Sequence, residues 1–337
     1  MFNLSTQLKV TMMAALLVWG TQALSSEIAI VIHGGAGTIL KEKMSQAIEA
    51  DYRRVLQKSV EAGHRVLKSG GSSIDAVTDA IKIMENSPLF NAGHGATFNY
   101  DGKVELDASI MTGDELNAGA ATGIQTVRNP ILLALAILKN SPHVMLMGKG
   151  AEAFAKHQGL EIVENDYFYT ERRRNQLIKA QSEKNHTNLS ESPDDDFESQ
   201  IFSTVGAVAI DSGGLITAGT STGGMTNKRY GRIGDSPVIG AGTYADSRHC
   251  GISATGHGEY FIRAAIAHDI CARVNYKGIT LQSAADEVIL DKLKAMGGDG
   301  GVIGIDSKAN IIYSFNTPGM YRAKIDKTGK REVAIFR

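Results

Sequence analysis

The sequence predicts an α+β fold whose strands and helices sit in separate layers. Strand-like apolar runs come in consecutive groups, and helical periodicities come in pairs, which argues against an alternating βαβ array. Glycine is abundant, at 37 residues against 6 prolines, and is not periodic; many tight turns and close backbone approaches follow from that. At 337 residues and 43% hydrophobic content, the chain can bury one large domain or two small ones. No internal repeat is visible.

The elements follow in order. Ile28 to Ile32 reads as a buried strand that runs into the turn His33-Gly-Gly-Ala-Gly. Met44, Ala47, Ile48, Tyr52, Val55, Leu56 and Val60 recur at three- and four-residue spacing and predict a long amphipathic helix. Gly70-Gly71 breaks the chain, Ser72 or Ser73 can cap, and a second helix fits Ile74 to Met84. Strand-like runs lie at Glu105 to Met111 and Ala118 to Val127, and Asn129-Pro130 opens a third helix from Ile131 to Leu138. From about Gln181 to Gln200 the chain turns polar and unpatterned, the composition of a mobile linker. Strands are expected at Thr204–Ile210, Leu215–Thr220, Val238–Ala241, Ile252–Ala254, Val302–Ile305 and Ile311–Phe315, with helices at Glu259–Val274 and Leu281–Met296.

The first 25 residues read as a secretory signal peptide. Lys9 precedes an apolar stretch from Val10 to Trp19, and Ala23 and Ser25 stand at the -3 and -1 positions of a cleavage site. The alternative is an N-terminal tail with a buried helix. The expectation is export to the periplasm or medium as a soluble protein, because no second apolar stretch is long enough for an anchor. A net charge of -1 without basic blocks excludes a nucleic-acid groove or a membrane-surface patch. Cys250 falls in a strand and Cys271 in a helix, which reads as two separate buried thiols, with one disulfide as the alternative.

Four motifs could carry chemistry. The His33 turn lacks the full dinucleotide pattern, so phosphate binding is set aside. The histidines have no metal-ligand spacing, so no catalytic metal or cofactor is expected. Gly219-Thr-Ser-Thr-Gly matches a nucleophile elbow at Ser221, but no helical period follows it. Thr204 opens a buried strand directly behind the polar segment. A strand-opening threonine is ordinarily structural, yet one made N-terminal carries its own general base, since a free α-amine has a pKa of roughly 8.

Beyond these, Thr204-Val-Gly-Ala-Val-Ala-Ile-Asp, Thr220-Ser-Thr-Gly-Gly-Met-Thr-Asn-Lys, Gly231-Arg-Ile-Gly-Asp-Ser-Pro and Ser253-Ala-Thr-Gly-His-Gly-Glu stand in order in the second half. The first half carries His33-Gly-Gly-Ala-Gly and Leu89-Phe-Asn-Ala-Gly-His-Gly-Ala. Together, from about Ile28 to Arg322, they resemble the plant-type asparaginases, also called isoaspartyl peptidases, of the N-terminal-nucleophile hydrolase type. The resemblance implies a four-layer αββα sandwich. It also implies self-cleavage into an α chain (26–203) and a β chain (204–337), and a dimer of those heterodimers, (αβ)2. The implied substrates are asparagine and β-aspartyl dipeptides.

Carried over by motif, Thr204 is similar to the nucleophile and Thr222 to the threonine hydrogen-bonded near it. Arg232 matches the residue that holds the substrate carboxylate, Asp235 the one that holds its amine, and Gly258 a carbonyl contact to that amine. Thr255 and Gly256 match the oxyanion pair, and Asn91 an asparagine at the site's edge. The loop Met84 to His94 resembles one whose backbone carbonyls, here those of Met84, Glu85, Ser87, Phe90, Ala92 and His94, bind a structural sodium ion. Physically, a planar guanidinium can grip a carboxylate with two parallel bonds while a nearby aspartate takes the amine, so one short loop reads a zwitterion. The chain departs from the family at Ser203, where glycine is usual; a Cβ there is expected to slow self-cleavage at Ser203–Thr204. Two alternatives share much of this pattern. One is a glycosylasparaginase-like amidase, and the other an uncleaved periplasmic amino-acid-binding protein.

Overall fold

A computed structural model describes residues 27–186, 201–202 and 204–337. Residues 1–26, with the expected signal peptide, residues 187–200 of the expected linker, and Ser203 lie outside these. The elements are mixed helix and strand, as α+β predicts. One sheet has nine strands. Its main path is β13 (Arg331–Phe336), β12 (Gly319–Ile325), β1 (Ala29–Gly37), β6 (Val205–Ile210), β7 (Ile216–Thr222), β2 (Leu106–Thr112), β3 (Ala118–Ile124) and β4 (Met145–Met147), and β5 (Ile201–Phe202) pairs with β1 off that path. Every pairing in it is antiparallel except β3 with β4. The second sheet runs β11 (Ile311–Phe315), β10 (Gly300–Asp306), β9 (Cys250–Gly256), β8 (Thr243–Asp246).

Alternation along the strands sorts the core. Ile30, Ile32, Val205, Ala207, Ala209, Ala108 and Ile110 cluster with Leu56 and Val60 of α1 (Gln46–Lys68), Val77 and Ile81 of α2 (Ser73–Glu85), and Ile131 of α3 (Pro130–Asn140). Their neighbours Ala29, Val31, Val208, Ile210, Ile216, Ala218 and Met111 face Ala245, Ile303 and Ile305 of the second sheet. The far side of that sheet packs Ile252, Ala254 and Val302 against α7 (Ile266–Lys277) and α8 (Leu281–Asp286). Strands buried on both faces read as continuous apolar runs, which is why the sequence exposed them so readily.

The structure corrects several expectations. Cys250 and Cys271 are joined in a disulfide, with Cα atoms 5.7 Å apart; α7 lies across β9, so residues distant in sequence meet. Val238–Ala241 is no strand but a turn, closed by Ala241 N–H on the Val238 carbonyl. The helix expected over Glu259–Val274 is two, α6 (Gly258–Ala264) and α7, broken at Ala265 with φ +48°. The helix from Leu281 becomes π-helical over Glu287–Leu293. α5 (Glu171–His186) runs through Gln181, where the mobile linker was expected to begin. The short β4 and β8, the edge strand β13 and α5 gave no usable period, α4 (Gly148–His157) carries only a short one at Ala151, Phe154 and Ala155, and in β12 Arg322 and Lys324 interrupt the apolar run. Among the described residues no helix is long and apolar enough to cross a membrane.

Candidate active site

The site lies where β6, β7 and β2 of the large sheet face β9 of the small one. Antiparallel pairing sets Val205 opposite Ser221, and so Thr204, just before β6, beside Thr222 at the end of β7. The buried Thr204 hydroxyl donates to Thr222 Oγ1 at 3.0 Å, and Thr222 Oγ1 also accepts Gly224 N–H at 3.0 Å. Ser221 points to the opposite face, where its hydroxyl donates to Glu85 Oε1 at 2.7 Å. A turn follows β7, not a helix, so the Ser221 elbow fails in the structure as its context predicted.

His33, which in the sequence shows only as the start of a glycine turn, joins this group. The strand continues through that turn to Gly37, with a register shift between His33 and Ala36. His33 Nδ1 meets the Thr204 carbonyl at 3.0 Å and Nε2 meets Ser253 Oγ at 3.0 Å. A carbonyl only accepts, so Nδ1 carries the proton and, in the neutral ring, Nε2 accepts the serine hydroxyl. Burial keeps the ring neutral by lowering its pKa to about 3. Ser253 Oγ in turn lies 2.7 Å from Thr220 Oγ1, which accepts from Thr243, and Ser109 Oγ lies 2.8 Å from Thr243 Oγ1. Gly206 sits against His33 and Ser253 with no room for a Cβ. A polar residue inside an otherwise apolar strand was the available signal for His33, Ser109 and Ser253.

Thr255 is fully buried, two residues beyond Ser253 on the same face of β9, and Gly256 follows it, paired with Gly300. The head-group residues also come together. A Cβ on Gly258 would lie 2.8 Å from Arg232 Nη2 and 3.0 Å from Asp235 Oδ1, so glycine is required where the backbone meets both. Arg232 does not pair with Asp235: its Nε and Nη2 both donate to Glu259 at 2.9 Å. Asp235 is 4% exposed and its Oδ2 has no hydrogen-bond partner among the described residues. Burial above all, with the Glu259 and Asp107 charges, pushes its pKa up to about 7 against the lowering effect of its own backbone N–H and of Arg232.

Asn91 is committed to structure. Its Nδ2 donates to the Gly224 carbonyl at 2.7 Å and its Oδ1 accepts Thr97 N–H at 2.8 Å, which holds the turn after Thr222. In the Met84 to His94 loop, Met84 and Glu85 end α2, and Phe90 and Ala92 are buried. The Met84 carbonyl accepts Ser87 N–H at 3.1 Å and that of Glu85 accepts His94 N–H at 2.7 Å. The Glu85 carboxylate is turned away, onto Ser221, Asn129 and the Ile131 N–H. Among the described residues no cluster of three or more His, Cys, Asp or Glu side chains could hold a metal.

Comparison with known proteins agrees with this geometry. The chain is 48% identical to an isoaspartyl peptidase of Escherichia coli over 294 residues, covering 87% of this chain and 91% of that one. It is 41% identical to a probable isoaspartyl peptidase/L-asparaginase of Arabidopsis thaliana, covering 91% of this chain and 98% of the relative. A plant-type L-asparaginase of Thermococcus kodakarensis is 42% identical, with 87% and 94% covered. The asparaginase family model matches residues 26–335. With the match spanning both sheets and every motif of the site, this chain belongs to the asparaginase family of hydrolytic enzymes.

Proposed function

We propose that the chain cleaves itself before Thr204 and then hydrolyses the side-chain amide of asparagine and the isopeptide bond of β-aspartyl dipeptides. The observation that carries this is the buried Thr204–Thr222 hydroxyl pair at 3.0 Å, at the residue just before β6. In the first stage the Thr204 hydroxyl attacks the carbonyl of Ser203. The Ser203–Thr204 C–N bond breaks as an ester forms, and water releases a free Thr204 α-amine. In the second stage that amine takes the hydroxyl proton while Oγ1 attacks the substrate's β-carbonyl. The proton passes to the departing ammonia or amino acid, and water hydrolyses the acyl-enzyme.

Thr255 and the Gly256 N–H serve the oxyanion of each tetrahedral intermediate. The outer edge of Arg232 takes the substrate carboxylate, with Glu259 holding the guanidinium from the other side. Asp235 and the Gly258 carbonyl take the amine. His33 fixes the Thr204 carbonyl, and so the angle from which the hydroxyl attacks.

The same reading makes the two sheets and their outer helices a four-layer αββα sandwich shared by the α and β chains. It gives the Met84 to His94 loop a structural sodium ion, the assembly two αβ units, and the leader a role in export.

Intact-mass analysis tests the reading. The purified protein is expected as two fragments that meet before Thr204, and Thr204→Ala is expected to remain one chain and lose at least a thousandfold in turnover of both substrates. A parent that stays one chain through long incubation at neutral pH and hydrolyses neither substrate would overturn it, and would favour an amino-acid-binding protein.

A further inference from the structure

Asp107 was not among the expected site residues, yet the fold brings it to the site from two directions. On one side, β2 pairs with β7 so that Asp107 lies opposite Thr222, as Ser109 lies opposite Thr220. Directly paired residues project to the same face, with Cβ atoms about 5 Å apart. Thr204, Thr222 and Asp107 therefore form a row across three adjacent strands. On the other side, Ser109, two residues along and on the same face, donates to the Ser236 carbonyl at 2.6 Å. That bond holds the segment carrying Asp235 against this end of β2. Asp107 thus stands between the hydroxyl pair and the head-group loop.

Its carboxylate is divided in its bonding. Oδ1 accepts the Thr122 hydroxyl at 2.6 Å and Gly123 N–H at 3.0 Å, so β3 anchors the side chain. Oδ2 has no hydrogen-bond partner among the described residues, although Asp107 is only 1% exposed. The surrounding charges are otherwise matched. Arg232 is on Glu259, and Lys228 is on the Glu105 carbonyl with the Glu105 carboxylate 3.9 Å away. Among the described residues no cation lies within ion-pair distance of Asp107 or Asp235, and each has one bare oxygen. Two buried carboxylates in one pocket call for a cation, because an unpaired buried charge is costly. Their mutual influence is visible in Asp235, whose proton affinity the Asp107 charge raises.

We propose that Asp107 is a specificity-determining residue: its bare carboxylate oxygen gives the amine subsite a second negative charge, so that the site selects ligands with an ammonium group beside the carboxylate. This rests on the zwitterion-reading loop proposed above. Asparagine and β-aspartyl dipeptides carry that group; succinamic acid, with the same amide and carboxylate and no amine, does not.

Calorimetric binding of L-aspartate and succinate, which needs no turnover, tests the role of Asp107 separately from the hydrolytic reading. The parent is expected to bind L-aspartate and to prefer it over succinate. Asp107→Asn, which retains an oxygen for Thr122 and Gly123, is expected to weaken L-aspartate binding by roughly ten- to a hundredfold and to leave succinate within about twofold. In turnover, the same variant should raise KM for asparagine by a similar factor with kcat little changed, while kcat/KM for succinamic acid stays put. Asp107→Glu keeps the charge and should keep most of the discrimination; it carries the test if the asparagine variant does not fold. An equal loss for aminated and deaminated ligands, no change for either, or loss of discrimination in Asp107→Glu overturns the proposal. A parent that turns over asparagine yet shows no preference for L-aspartate overturns it while leaving the hydrolytic reading intact. A parent that binds no L-aspartate at all overturns both.

Discussion

Glu85 and Asp235 are both buried carboxylates, and burial pushes the pKa of each up to about 7. Their surroundings differ. Glu85 sits on the helix side of the large sheet, where Ser221, Asn129 and the Ile131 N–H occupy both its oxygens. Asp235 sits on the inner side, beside Arg232 and Gly258, with Oδ2 unpartnered. β7 separates the two environments, since Ser221 serves Glu85 while Thr220 and Thr222 serve the opposite face. A displaced pKa therefore marks burial in both places, and only at Asp235 does it come with an oxygen that has no hydrogen-bond partner among the described residues. What distinguishes them is whether the polar atoms are already satisfied.

The sharpest way to break this comparison is to remove Glu85. Glu85→Ala strips the acceptor from a hydroxyl, an amide and a backbone N–H in the core, and should cost about 3–4 kcal/mol of stability. Turnover per folded molecule should stay near the parent's. Denaturant melts beside active-site-titrated kinetics would decide it; a stable variant with lost activity would place Glu85 in the site after all. Asp235→Asn should do the reverse. It is expected to lower kcat/KM for asparagine by roughly a hundredfold, the loss of one charge-assisted pair, with the thermal midpoint not lowered. A comparable loss of stability would erase the distinction.

The smallest effect is in pH. Both carboxylates hold their protons more tightly folded than unfolded, so the stability they contribute is complete below about pH 4. It is lost as pH rises from the unfolded values of 4.5 and 3.8 through about 7. His33 runs the other way. Its folded value of about 3 lies below 6.5, so its contribution is complete above pH 6.5 and falls away towards pH 3. The thermal midpoint should decline between pH 5 and 8, and less steeply in Asp235→Asn. An unchanged slope in that variant would mean that Asp235 is ionised throughout the range.

Much of this was legible in the residues themselves. α1 declared itself by the spacing of Tyr52, Leu56 and Val60, α2 by its cap at Ser72, and α3 by Pro130 at its first position. The buried strands β1, as far as Ile32, and β6 appeared as apolar runs, and the motifs around Thr204, Arg232 and Thr255 announced the family before any geometry. These are local signals, set by backbone propensity and by which side chains tolerate burial.

Tertiary structure decided the rest, because the deciding contacts join residues far apart in the chain. Nothing in the sequence says that Cys271 meets Cys250, that Glu259 and not Asp235 holds Arg232, or that His33 grips the carbonyl of Thr204. The inward row of Thr204, Thr222 and Asp107 exists only because three strands pair in one register. A shift of a single residue would turn each side chain to the helix face, with Glu85. Residue chemistry named the parts; strand register, which depends on the whole sheet, determined which of them share a pocket.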